Sequence, residues 1–310
     1  MAKTSSSICS IASHRASKTG PEAIRALRRP GIAEETARPL PSSNWLTEKL
    51  NRRIKLVVQY DGTDFCGWAE QPNVRTVHGT LKDSIFRVSG EDVELRGASR
   101  TDSGAHARGQ VADFASSNPM PTSAWVKTLN RALPEDVRIE SAGFVRPDFH
   151  SRFFARGREY RYTLSTLEKV EPHRARFVWA SGFGLDIPRM KAAAICLLGK
   201  HDFRAFAEEL DGINNCVREL SKAEVTHRGD EVVVTLIGSA FLRGMVRRIT
   251  GGLFEVGRGK RTVEEFAELL DEGRRDRLTW PVVLPAKGLT LWKVLYGRKL
   301  RDLREENEEE

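Results

Sequence analysis

Between Leu95 and Phe114 the sequence passes from apolar residues into a short polar run and back again: LRGASRTDSGAHARGQVADF. Gly97 and Gly104 bracket Ser99-Arg100-Thr101-Asp102-Ser103, and an apolar alternation from Val111 to Phe114 follows. This pattern predicts a strand or sheet edge, a tight loop, and a strand. Glycine allows the backbone to turn, or to approach a neighbour, where a Cβ would clash. A loop held between two buried elements is where folds commonly display reactive groups. The groups displayed here are Arg100, Asp102 and His106. Spacing alone leaves two roles open for Asp102. It can be a turn former, because Asp side chains bond backbone N–H groups two residues on, or it can be a functional carboxylate. Arg100 can simply be its ion-pair partner, and an exposed pair of this kind contributes little.

Around this loop the hydrophobic period alternates between 2 and 3.6. Ile54 to Tyr60 reads as a strand. Thr76 to Val88 reads as a helix, with Val77, Leu81, Ile85 and Val88 on one face and Thr76 as its cap. Asp92 to Leu95 is expected to start the strand entering the loop. Thr122 to Leu133 is expected to be a helix carrying Trp125, Val126 and Leu129, with Pro134 beyond its end. Val137 to Phe144 reads as a strand, and so does Arg158 to Leu164. Pro188 opens a helix through Leu198, ended by Gly199. Glu219 to Thr226 and Glu231 to Ile237 form a hairpin pattern. Phe241 to Val256 and Thr262 to Leu270 read as helices, and Leu289 to Leu295 as a last strand. The order predicts an α+β fold with predominantly antiparallel sheets.

The two ends differ from the rest. Residues 1–50 are rich in Ser, Ala, Arg and Pro and read as a disordered extension. Their first twenty residues contain no acid and carry Lys3, Arg15 and Lys18, a weak transit-peptide character. Glu22, Glu34 and Glu35 count against it, and a cytoplasmic location is the expectation. Residues 298–310 end in Glu308-Glu309-Glu310 and read as a charged, solvated tail. Between them, 51–147 and 148–297 are expected to form two halves. The chain of 310 residues has a formal charge of +8, which favours polyanionic partners. Cys9, Cys66, Cys196 and Cys216 lack zinc or redox spacing, and no apolar run approaches a membrane span. His78, His150, His173, His201 and His227 show no ligand spacing either.

Several stretches together resemble one family. Arg100-Thr101-Asp102-Ser103-Gly104-Ala105-His106-Ala107 with Gly109-Gln110-Val111 is similar to the active-site motif of the TruA family of tRNA pseudouridine synthases. Tyr60-Asp61-Gly62-Thr63-Asp64-Phe65 with Gly67-Trp68 resembles its first strand and turn. Thr76-Val77-His78-Gly79 resembles the start of its first long helix. Phe149-His150-Ser151-Arg152-Phe153 and Arg158-Glu159-Tyr160-Arg161-Tyr162 resemble its second motif, and Phe241-Leu242 with Met245-Val246-Arg247 its third. The likeness runs from about Ile54 to Tyr296 in one order. Ser99 stands where the family commonly has Gly, and Ala105 where it commonly has Val. Cys66 and Ala69-Glu70 also differ.

The resemblance implies two α/β subdomains forming one extended sheet around a basic cleft. It implies isomerisation of uridine to pseudouridine in the anticodon stem and loop of tRNA, by a homodimer, without cofactor or metal. By the same resemblance Asp102 is the catalytic nucleophile, and Arg100, Tyr160 and Arg247 bind substrate. His106 is left outside the chemistry, as a loop support or RNA contact. Arg243, Arg247, Arg248, Arg258, Lys260 and Arg261, with Arg152, Arg156, Arg158 and Arg161, are candidate phosphate contacts. The competing expectation is an RNA-binding module without catalysis, which the charge supports equally. An aspartate-dependent hydrolase ranks far behind, since no second acid stands at a recognisable spacing.

Overall fold

The computed structural model describes residues 52–208, 210, 215–271 and 280–297, all within the unit Ser43–Glu310. The expected extension at 1–50 and tail at 298–310 lie outside the described residues. The fold is α+β, as expected. Its strands form one extended and mainly antiparallel sheet in the order β4 (Val137–Val145), β1 (Arg52–Tyr60), β3 (His106–Ser116), β10 (Leu289–Tyr296), β5 (Ala155–Ser165), β9 (Glu231–Gly238), β8 (Val217–Arg228) and β7 (Gly199–Asp202).

The first strands come from the N-terminal part of the chain. β1 (Arg52–Tyr60) alternates between buried and half-buried residues, with Ile54, Leu56, Val58 and Tyr60 turned to the core. It pairs with β3 (His106–Ser116) on one side and β4 (Val137–Val145) on the other. Helix α1 (Val77–Ser89) begins at Thr76, whose side chain accepts from the Gly79 N–H, and it buries Val77, Leu81 and Ile85. Helix α2 (Thr122–Ala132) buries Trp125 and Leu129, and the Trp125 ring meets Phe114 of β3 edge-on at 5.3 Å. Asn130 fixes α2 to β4: its Nδ2 donates to Ile139 O at 2.8 Å and its Oδ1 accepts from Ile139 N at 2.7 Å.

The later strands continue the same sheet. β5 (Ala155–Ser165) pairs with β9 (Glu231–Gly238), which pairs with β8 (Val217–Arg228) and through it β7 (Gly199–Asp202). Short β6 (Trp179–Ala180) runs parallel to the end of β5. Helix α3 (Ile187–Ile195) buries Met190, Ala193 and Ala194. Helix α4 (Met245–Gly257) is apolar over most of its surface and largely buried. Helix α5 (Val263–Glu268) starts with a capping box between Thr262 and Glu265. The last strand, β10 (Leu289–Tyr296), lies between β3 and β5. It runs parallel to β3, with Thr290 opposite His106 and Leu291 opposite Ala107, and antiparallel to β5. The last strand thus joins the strands of the N-terminal part to the later strands of the sheet.

Four boundaries differ from the sequence expectation. The strand expected from Asp92 is only β2 (Arg96–Gly97), paired with Asp113 and Ala112 of β3 before the chain departs into the loop. The helix expected from Phe241 begins at Met245, because Gly244 adopts a left-handed φ of 68°. The helix expected to reach Leu198 ends at Ile195. Finally, β3 begins at His106, well before the alternation read at Val111. β3 has a strand on each side and is buried almost throughout, so it shows no clean two-residue period.

Candidate active site

The loop between β2 and β3, residues 98–105, is pressed against the turn that follows β1. Trp68 N donates to Thr101 O at 3.1 Å, and Gly104 N donates to Phe65 O at 3.2 Å. Ser103 Oγ also donates to Phe65 O. The approach requires glycine. A Cβ on Gly62 would stand 1.9 Å from Ala105 O, and one on Gly67, whose φ is +86°, 2.8 Å from Thr101 O. The N-terminal turn is therefore the bed on which the loop is shaped.

Two inward hydroxyls staple the loop to the sheet. Ser99 Oγ and Tyr160 Oη share a hydrogen bond of 2.7 Å, and Thr101 Oγ1 and Tyr60 Oη share one of 2.8 Å. Tyr60 belongs to β1 and Tyr160 to β5, so alternate loop residues grip both parts of the sheet. Arg100, between them, is turned outward. It is exposed and meets no partner among the described residues.

Asp102 is paired instead from the other side of the site. Arg247, in the first turn of α4, places Nη1 3.2 Å from Asp102 Oδ2. The Arg247 side chain is 19% exposed and that of Asp102 23%, so both remain open to a ligand. Arg247 Nε donates to Leu284 O at 2.7 Å, fixing the guanidinium plane. Tyr162 Oη donates to the next carbonyl, Pro285 O, at 2.7 Å. Tyr162 is thereby a bracket for the segment leading into β10, and its place in the fold is structural.

Tyr160 is buried on β5, with its ring edge-on to Phe241 at 5.0 Å. Burial pushes its phenol upward. The Ser99 hydrogen bond and the Arg158 charge oppose that rise, while the Asp102 charge adds to it. The phenol is neutral at physiological pH and lies within the field of Asp102.

Arg158, expected among the phosphate contacts, is instead a buried structural group. The residue is 8% exposed. Nη1 donates to Ser239 O at 2.9 Å, while Nη2 donates to Ala98 O at 3.1 Å and Arg152 O at 3.0 Å. It ties the start of the loop to two other segments. Arg161 is paired with Glu159 at 2.7 Å and lies over the Trp292 ring at 3.8 Å. Arg258 covers Phe183 at 3.5 Å, and Arg261 is paired with Glu265 at 3.0 Å. Arg248 Nη1 donates to Pro281 O. Arg152, Arg156, Arg243 and Lys260 are exposed.

His106 is buried at the start of β3. The Gly62 N–H donates to its Nδ1 at 3.0 Å, so the ring proton sits on Nε2, within 2.9 Å of Arg176 O and 3.1 Å of Lys287 O. Burial holds its proton affinity below the ordinary histidine value, against the opposing charge of Asp61. It is a structural junction of three segments. No group of His, Cys, Asp and Glu among the described residues could hold a metal ion, and no described helix is long and apolar enough to cross a membrane. Cys66, Cys196 and Cys216 are free thiols.

Comparison with known proteins places this geometry in context. The family model described as tRNA pseudouridine synthase matches residues 56–153 and 193–297. The chain is 41% identical over 248 residues to the tRNA pseudouridine synthase A of Citrifermentans bemidjiense, covering 80% of this chain and 99% of that protein. It is 40% identical over 245 residues to the protein of the same name from Brevibacillus brevis, covering 79% and 100%. Against that of Solidesulfovibrio magneticus it is 43% identical over 252 residues, covering 79% and 91%.

Proposed function

The chain belongs to the TruA family of tRNA pseudouridine synthases, and from that premise we propose that Asp102 carries the reaction, with Arg247, Tyr160 and Arg100 serving it. The protein is an isomerase that converts uridine to pseudouridine in tRNA. The bond between N1 of the base and C1′ of the ribose breaks, and a bond between C5 and C1′ forms. The C5 proton leaves and N1 takes one up, so the product is an isomer of the substrate. Bond breaking develops positive character on the sugar and negative character on the departing base, and a carboxylate beside the sugar meets the first demand.

The observation that carries the assignment is the pairing of Asp102 with Arg247 at 3.2 Å in a half-open position. A guanidinium hydrogen-bonded to a carboxylate fixes its position and aims it. Tyr160 gives a swung-out uracil a flat edge and a hydroxyl near the Asp102 charge. Arg100, exposed and unpartnered among the described residues, is the group available for a backbone phosphate. The expected target is the anticodon stem and loop, and the expected active form is a homodimer in the cytoplasm. In this reading 51–147 and 148–297 are the two halves that embrace the RNA.

The test is release of tritium from tRNA labelled at uracil C5. Wild-type protein is expected to release label and Asp102→Ala to release none, with tRNA binding retained. Equal release by both proteins refutes the role of Asp102. Binding without release by wild type on any tRNA marks a non-catalytic RNA-binding protein.

A further inference from the structure

Tyr160 is held by a residue that has no place in the roles assigned above. Ser99 Oγ lies 2.7 Å from Tyr160 Oη. Neither hydroxyl has another hydrogen-bond partner among the described residues. Both sides of the contact are rigid. The Ser99 main chain is gripped by the side chain of Gln110, which is fully buried: Ser99 N donates to Gln110 Oε1 at 3.2 Å, and Gln110 Nε2 donates to Ser99 O at 2.7 Å. Gln110 Oε1 accepts Val111 N as well, at 3.1 Å, so the amide cannot turn over without losing its bonds. On the opposite side, Tyr160 sits in sheet register between Leu291 and Leu236, and Phe241 closes on its ring edge-on.

With ring and loop both held by these contacts, the phenol keeps rotation of its O–H about the C–O bond. Two hydroxyls joined by one hydrogen bond have two protons. One lies between the oxygens, and the other is left to face outward. The contact to Ser99 thus decides which side of Oη is committed to the protein and which side is presented to a bound base. We propose that Ser99 is a positioning residue for the pseudouridine synthase reaction, orienting the Tyr160 hydroxyl toward the substrate. This rests on the active-site role proposed for Tyr160. The loop geometry couples the two assignments, since Ser99 and Thr101 point inward and Arg100 between them points outward.

The experiment compares Ser99→Ala, Ser99→Thr, Tyr160→Phe and the double variant in single-turnover tritium release, alongside equilibrium tRNA binding. Ser99→Ala is expected to slow the single-turnover step about 10-fold with tRNA affinity within about 2-fold of wild type. Ser99→Thr, which keeps the hydroxyl, restores most of the rate. In the Tyr160→Phe background Ser99→Ala has no further effect, because the oxygen it serves is gone. The same 10-fold loss in both backgrounds overturns the proposal, and so does a loss of affinity with the rate intact. A separate readout uses ring-labelled tyrosine and NMR titration of the free protein. Removing a bond that favours the phenolate moves the Tyr160 titration upward in Ser99→Ala. An unchanged titration overturns the contact itself. Because that titration needs no turnover, a wild-type protein that failed to release tritium would refute the catalytic role while leaving the contact tested.

Discussion

Arg247 reaches across 145 residues of sequence to place its Nη1 3.2 Å from Asp102 Oδ2. The same guanidinium donates through Nε to Leu284 O at 2.7 Å. It is therefore both the partner of the carboxylate and a clamp on the segment leading into β10. Lysine has one point charge and cannot do both. We expect Arg247→Lys to lower the single-turnover rate by roughly 100-fold. Rate measurements on folded protein, verified by circular dichroism, check this; a loss of less than about 3-fold contradicts it.

Asp102→Asn keeps the shape of the side chain and a hydrogen bond to Arg247 while removing the charge. If the carboxylate performs the chemistry, the rate falls on the order of 10⁴-fold or more. Thermal stability should change little, because the side chain is partly exposed. Melting temperature and tritium release measured on one preparation separate the two effects.

Arg100 is exposed and has no hydrogen-bond or ion-pair partner among the described residues, so its removal should be silent in the free protein. Arg100→Ala is expected to weaken tRNA binding and to reduce the slope of log affinity against log salt by about 1. Binding isotherms over a salt series measure this. An unchanged slope would mean that Arg100 touches no phosphate.

His106 makes stability depend on pH. Burial depresses its folded-state proton affinity below the ordinary value of 6.5, while Asp61 at 3.2 Å opposes the shift and is itself paired with Arg176 at 3.0 Å. A depressed base binds fewer protons folded than unfolded. Stability is therefore fully present above about pH 6.5 and is lost as pH falls below it. Melting temperatures of wild type should decline between about pH 7 and pH 5, and His106→Gln should flatten that decline. Parallel curves for the two proteins would show that other groups govern the acid limb.

Element types and the α+β class were legible in the order of the residues, because hydrophobic periods, caps and glycine-bracketed turns are local properties. Thr76 capping α1 and Trp125 with Leu129 burying one face of α2 were legible in this way. Asp102, Tyr160, Arg247 and Arg100 were named as candidates only because the short motifs that hold them resemble those of one family. Tertiary structure alone decided how these residues meet. Asp102 pairs with Arg247 and not with the nearby Arg100, because Ser99 and Thr101 face the two tyrosines and force the residue between them outward. Arg158, which reads as a surface cation, lies buried among three carbonyls, two of them from distant segments. Each of these outcomes depends on side-chain contacts between segments far apart in the chain. No local period records them, since the energy of such a contact exists only after the sheet has brought its two partners together.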